Sequence, residues 1–251
     1  MTSNYLNTPL DQFKIIPLIR IYNKYMDITI TNSTIYLIIS MIIIYIITKI
    51  SLIAIRSKIL LNNPLFTLIK LSYIKIEQII MDLINNSLIG SKYLPFIYTI
   101  FIFILFNNLI GLIPYSFTTT SHIIITLLFS LSIILATTYI GIKKHGLFKF
   151  LGMFVPAGLN SGNIKFLIPL IFIIEIISYI FRIISLSVRL TANMLSGHTL
   201  LKILGSFGLK YTWMKPYVLV IIPIIILFFL FILEFAVSII QAYVFTLLTT
   251  I

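Results

Sequence analysis

The chain has 251 residues, 60% of them hydrophobic and only 10% charged, and it contains no cysteine. Soluble domains carry about 25% charged residues, so the composition excludes a soluble class and defines an integral membrane protein; without cysteine, disulfides and thiolate metal sites are excluded too. The excess of 18 Lys and Arg over 6 Asp and Glu could suggest nucleic acid, but the bases fall between apolar spans and mark topology, so no nucleic-acid partner is expected.

Residues 1–33 mix Lys14, Arg20 and Lys24 with Asp11 and Asp27 and read as an extramembrane arm. They hold no continuous apolar stretch followed by a small-residue cleavage site, so no secretory signal is expected. The rest, 34–251, is expected to be a single membrane domain. Its first span is 34–55, with Lys49 close enough to one end to reach the interface. A basic stretch follows, and inside it 64–90 places Leu65, Ile69, Tyr73, Ile76, Ile80, Leu83 and Leu88 at spacings of three to five. That is an amphipathic helix, lying at the membrane interface or packing on another subunit.

The second span, 94–113, ends in FNNLIGLIP (Phe106–Pro114). Asn107, Asn108 and Gly111 there suit helix packing, because Asn bonds across helices and Gly permits close approach. The third span, 122–142, carries hydroxyls for interhelical bonds and His122 at its mouth. Loops after the first and third spans are basic, and the one after the second is uncharged. The positive-inside rule then places the amino-terminal arm and 114–121 outside, with 56–92 and 143–165 inside.

Two further apolar runs, 164–203 and 216–249, are too long for plain spans. As helices they would extend about 60 Å and 50 Å, against a hydrocarbon core of about 30 Å. They are expected to tilt steeply and form an antiparallel hairpin. The fold class is therefore all-α integral membrane, with three ordinary spans, one interfacial helix and this long pair.

The long pair also carries the polar residues that lipid tolerates least. Arg182 and Arg189 differ by about 20° round the first helix, and Glu175 and Asn193 fall within about 40° of Arg189. His198 lies about 180° away, roughly 13 Å along the axis from Arg189, whereas Glu175 is about 21 Å away in the other direction. A permanent charge thus separates two titratable groups, an order that suits two proton half-pathways with an electrostatic block between them. The alternative is an ion pair of Glu175 with Arg182, but Arg189 has no carboxylate within a turn or two. Glu234 on the second run could approach His198, as a proton relay or as a structural hydrogen bond. No nucleotide-binding glycine loop, HExxH or nucleophile elbow occurs, so no catalytic site is expected in this chain.

At these residues a family becomes recognisable. SLSVRLTANMLSGH (Ser185–His198), preceded by IEIIS (Ile174–Ser178) and followed by LEFAVSIIQAYVF (Leu233–Phe245), resembles subunit a of the F-type ATP synthases, as do FNNLIGLIP and KHG (Lys144–Gly146). The likeness covers roughly residues 60–250. It implies that Arg189 faces the carboxylate of a rotating c-ring, with Asn193 and Gln241 as supporting polar residues. It further implies that His198 and Glu234 line the outer half-channel and Glu175 the inner one. The order of His before Glu leans mitochondrial, which implies a multi-pass protein of the inner mitochondrial membrane, with a bacterial plasma membrane as the alternative. Asn160 departs from the family pattern, where a Pro usually stands.

The resemblance implies a proton-conducting stator subunit that couples proton flow to ATP synthesis, with the c-ring, the peripheral stalk, other membrane-sector subunits and lipid as partners and no cofactor or metal. Two rival readings stay open: a structural membrane subunit of another respiratory complex, and an ion-coupled secondary transporter. The second would need a substrate cavity and usually internal repeats, and no convincing repeat is present.

Overall fold

A computed structural model of the chain describes residues 9–22, 27–57, 64–84, 87–113, 116–154, 167–212 and 217–250. Lys24, Lys58, Pro114, Asn160, Lys165 and Lys215 lie outside the described residues, as does the start of the long run at 164–166. Among the described residues seven α-helices follow a short amino-terminal hairpin: α1 Asn32–Ser57, α2 Pro64–Leu83, α3 Ser87–Gly111, α4 Ile123–His145, α5 Leu147–Met153, α6 Leu167–Thr212 and α7 Tyr217–Thr250. Among the described residues five segments are long and apolar enough to cross a membrane: Asn32–Ile50, Gly90–Gly111, Ile123–His145, Pro169–Ser206 and Pro223–Thr250. Their surfaces stay studded with exposed Ile, Leu and Phe, such as Ile124, Phe228 and Phe229. In lipid a helix satisfies all its backbone groups within itself, which is why such a sequence resolves into helices. The protein is an all-α membrane protein.

The chain divides into two compact units, one of 1–122 and 193–251 and the other of 123–192. In the first, the amino-terminal arm is ordered. A 3₁₀ turn at Pro9–Phe13 leads to strand β1, Pro17–Tyr22, which pairs antiparallel with β2, Asp27–Thr31. Asn32 ties this hairpin to the first span. Its Oδ1 accepts from the Ile16 amide at 3.2 Å and its Nδ2 donates to the Lys14 carbonyl at 3.0 Å. The same Oδ1 accepts from the Ser33 amide, so Asn32 also serves a free donor at the start of α1.

Helix α3 is the centre of this unit, packed by α1, α2 and α7. It starts earlier than the polarity of Lys92 suggests and runs through Pro95, its ninth residue, where the helix forgoes one backbone bond. Helix α2 packs its apolar face on α3 of its own chain, with Ile76 and Ile80 buried and the Ile80 side chain against Gly90. Ser72 and Tyr98 share a hydrogen bond of 3.3 Å across the same pair.

Helix α7 turns one stripe inward: Glu234, Ser238, Ala242, Phe245 and Thr246 are buried. The final part of α6 runs antiparallel to it, since Gly197 faces Glu234 and Gly205 faces Leu227. The apolar run read from the sequence stops at 203, but α6 continues through Gly205 and Gly208 to Thr212. Glycine is only roughly 1 kcal/mol poorer than alanine in a helix, and the long apolar run overrides that preference.

In the second unit, α4 carries buried Thr126, Ser130, Ile133 and Ile134. Ser130 Oγ reaches the Ile183 carbonyl of α6 at 3.4 Å. After α4 the chain breaks at Gly146, whose φ of 78° lies in the left-handed region that favours glycine. The seven-residue α5 then folds back on α4, so that a Cβ on Gly141 would stand 2.7 Å from Phe150 Cε2. Phe154 meets Phe150 and Tyr179 edge-on at 5.4 and 5.6 Å between ring centres.

Candidate functional site

Helix α6 measures 46 residues, about 70 Å at helical rise, more than twice the hydrocarbon thickness. Within the second unit its residues sort cleanly by direction. Glu175, Ser178, Arg182, Ser185 and Arg189 fall within about 40° of one line along the helix, and all but the half-buried Arg182 are exposed. Ser187, Leu190 and Thr191 are buried on other sides, and Leu186 is buried at the edge of the stripe. An arginine near the middle of a bilayer costs about 2.5–3.5 kcal/mol on insertion scales, so an exposed one on a span calls for a partner. Among the described residues neither Arg189 nor Arg182 forms an ion pair, and Glu175 forms none either. The internal Glu175–Arg182 pair is therefore not made. Ser178 and Ser185 keep the stripe narrow and polar; sequence inspection missed them because serine draws no attention beside charges, though the angular count would have found both.

The first unit holds the remaining polar residues. Glu234 is buried, and its carboxylate lies against Gly197, where a Cβ would stand 2.8 Å from Cδ and 3.0 Å from Cγ. His198 is the next residue along. Its Nε2 comes within 3.8 Å of the position a Cβ on Gly111 would take, and Thr118 Cγ2 within 2.7 Å of the same position. Two glycines thus open space where the titratable side chains sit. Glu234 and His198 do not hydrogen-bond each other: both carboxylate oxygens and His198 Nε2 are buried without a protein partner. Asn193 and Gln241 are half-buried.

The loop after α3 also borders these residues. Ser116 Oγ donates to the carbonyls of Ile110 and Gly111 and holds the end of α3. Asn107 and Asn108, read alike from the sequence, differ here. Asn107 is structural, with Nδ2 donating to the Phe103 carbonyl at 2.9 Å and Oδ1 accepting from Thr119 at 3.3 Å. Asn108 is fully buried, yet neither its Oδ1 nor its Nδ2 meets a protein partner, and the same holds for Thr118 Oγ1. Buried polar atoms are bonded in the large majority of cases, so these unpartnered ones call for an explanation. Phe13 of the amino-terminal arm closes on His198 edge-on, with ring centres 6.5 Å apart. Nothing local announces that contact, which spans most of the chain. No cluster of three or more potential metal ligands occurs among the described residues.

Comparison with known proteins gives this arrangement its relatives. The ATP synthase A chain family matches residues 34–251. The chain belongs to that family. It is 43% identical to ATP synthase subunit a of Trichophyton rubrum over 256 residues, covering 99% of this chain and 96% of that protein. To ATP synthase subunit a of Emericella nidulans it is 40% identical, over 98% of this chain and 94% of the other. The Chondrus crispus protein of the same name gives 40% identity with the same two coverages. The family match begins just after the amino-terminal hairpin, so Phe13 comes from a segment outside the family's matched region.

Proposed function

We propose that this chain, a membrane-sector subunit of an F-type ATP synthase by its family, conducts protons to and from a rotating c-ring through two offset half-channels. The observation that carries the reading is Glu234: a carboxylate buried within a membrane span, with neither oxygen bonded by protein. A purely structural carboxylate would be paired, because an unpaired one is costly. A group that exchanges protons with water must keep its lone pairs free.

In this mechanism a proton from the outer side passes Glu234 and His198, with Asn193 and Gln241 as polar support, and neutralises a ring carboxylate. The neutral carboxylate can turn into lipid, where its charged form could not. Almost a full turn later it reaches the inner half-channel, releases its proton past Glu175, and is drawn to Arg189. The guanidinium keeps its charge throughout and so divides the two paths. One proton moving through 100 mV supplies about 2.3 kcal/mol, so several must pass for each ATP formed elsewhere in the complex. The c-ring, the peripheral stalk and the other membrane-sector subunits are its partners. The eukaryotic relatives and the order of His before Glu support the inner mitochondrial membrane as its place.

The absence of cysteine makes a direct test simple. A single cysteine at Ser185, on the exposed stripe of Arg189, is expected to form a disulfide under mild oxidation with a cysteine placed beside the ring carboxylate. Adducts only to large, non-ring subunits would overturn the reading in favour of a structural role. Asn108 offers a second test. Asn108→Leu keeps the branched four-atom outline of the side chain, removes two unpartnered polar atoms, and is expected to leave assembly intact while lowering proton flux about tenfold. Asn107→Leu is expected to lower assembly instead, because it breaks two bonds. Unchanged flux in an assembled Asn108→Leu complex would exclude Asn108 from the path.

A further inference from the structure

We propose that Phe13, on the amino-terminal arm, is a positioning residue for the outer half-channel: its ring holds the His198 imidazole in place and narrows the approach to it. The inference rests on the reading of His198 as part of a proton path, and adds to that path a residue from before the family's matched region. Phe13 ends the turn Pro9–Phe13 and is only 9% exposed, although its neighbours Leu10, Ile15 and Ile16 are all more than half exposed. The arm thus buries one apolar side chain selectively. It sets that ring against His198 with the two planes 76° apart, an edge-to-face contact of the kind aromatic rings prefer.

The turn is braced on both sides of this contact. The His122 side chain hydrogen-bonds the Phe13 backbone. His122 is itself stacked on Phe117, with ring centres 5.3 Å apart, and Tyr36 of α1 meets Phe117 at 6.2 Å. Asp11 pairs with Lys14 across the turn, and Asn32 bonds both the Lys14 carbonyl and the Ile16 amide. On the other side, His198 Nε2 lies 3.8 Å from the position a Cβ on Gly111 would take. The imidazole is therefore bounded by α3 and by Phe13. Phe13 has no group that carries a proton, so what it contributes is placement and exclusion. An imidazole that loses one wall gains rotamers, and displacing a transferring group by about 1 Å can cost a hundredfold. An apolar ring beside an aqueous path also narrows it by refusing water.

The test uses the assembled complex, purified in detergent, with Phe13→Ala or Phe13→Leu in this chain. Diethyl pyrocarbonate acylates accessible imidazole nitrogens. Mass spectrometry then gives the modified fraction of His198, with the exposed His145 as internal standard. ATP synthesis is measured per assembled complex after reconstitution. Phe13→Ala is expected to raise modification of His198 and lower proton-driven synthesis, each at least threefold, roughly. Phe13→Leu keeps an apolar side chain of similar reach and is expected to stay within about twofold of the native complex on both measures. If Phe13→Ala does not assemble, Phe13→Val takes its place in the comparison with Phe13→Leu. Unchanged modification of His198 in the truncated variant would overturn the inference, and so would raised modification with normal synthesis. A Phe13→Leu complex as reactive as the truncated one would mean that the whole arm had moved, and would overturn a role for this side chain. Normal synthesis by an assembled His198→Ala complex is a separate outcome: it would overturn the outer half-channel on which the inference rests, whatever Phe13 does to modification.

Discussion

Replacing Arg189 by alanine is expected to lower ATP synthesis by the reconstituted complex at least a hundredfold, while the complex still assembles. The side chain is exposed on α6 and bonds nothing among the described residues, so its removal opens no cavity and orphans no partner within the chain. Its cost falls on function. Two unit charges about 4 Å apart at an effective dielectric constant near 20 attract by about 4 kcal/mol, which is close to a thousandfold in an equilibrium. Without that attraction a ring carboxylate has no reason to give up its proton to the inner half-channel, and protons can pass from one path to the other without turning the ring. Passive proton permeability of vesicles holding the membrane sector alone is expected to stay level or rise. Arg189→Lys should fall between, because an ammonium keeps the charge but loses the planar fork that meets a carboxylate with two bonds. Synthesis at normal rates in an assembled Arg189→Ala complex would sink the proposed mechanism.

Much of the membrane architecture could be read from the chain because lipid leaves it few choices. An apolar stretch must close its backbone bonds internally, so spans announce themselves, and an over-long run such as that around Arg189 announces a helix that cannot simply cross. The spacing along α2 indicated one apolar face, of which Ile76 and Ile80 are buried, while Tyr73 and Leu83 stay exposed and Leu88 belongs to α3. What lay against Ile76 and Ile80 was not legible, since a periodic pattern gives the direction of a face and leaves its partner open. Local rules failed most clearly at glycine. Gly205 and Gly208 look like a helix end by propensity, yet lie inside α6, because a preference of roughly 1 kcal/mol against a single residue is a weak signal inside a long apolar helix. Helix α5 was hidden for the opposite reason. Seven residues mixing Phe, Leu, Lys and Gly carry too few turns for a periodicity to be read.

The candidate site divides in the same way. Arg189, Glu175, His198 and Glu234 stood out because charge in an apolar run is conspicuous. Their surroundings did not. Asn107 and Asn108 are neighbours of identical type, and only the positions of the Phe103 carbonyl and Thr119 make one of them structural. Thr118 and Phe13 reach the pocket from a loop and from the amino-terminal arm, by contacts that no helical period encodes. The arm read as merely extramembrane, but its Phe13 is buried against His198.

Gly197→Ala is the sharpest separation of fold from function that the site allows. The new Cβ would press on the whole outer half of the Glu234 side chain, with Cδ at 2.8 Å and Cγ at 3.0 Å. Because the obstructing atoms belong to a flexible side chain, Glu234 can rotate away, and alanine favours the helix over glycine by roughly 1 kcal/mol. Stability and assembly are therefore expected to change little. Proton transfer is not so forgiving, since displacing a transferring group by about 1 Å can cost a hundredfold. Proton-driven ATP synthesis is expected to fall at least tenfold, roughly, with assembled complex measured in parallel. Shortening the carboxylate in the same chain, Gly197→Ala with Glu234→Asp, removes one methylene from the collision and is expected to recover part of the loss. The coupling between the two changes is then positive, as it should be for residues in contact. If Gly197→Ala synthesised ATP at normal rates, the position of the Glu234 carboxylate beside α6 would have no role in proton entry.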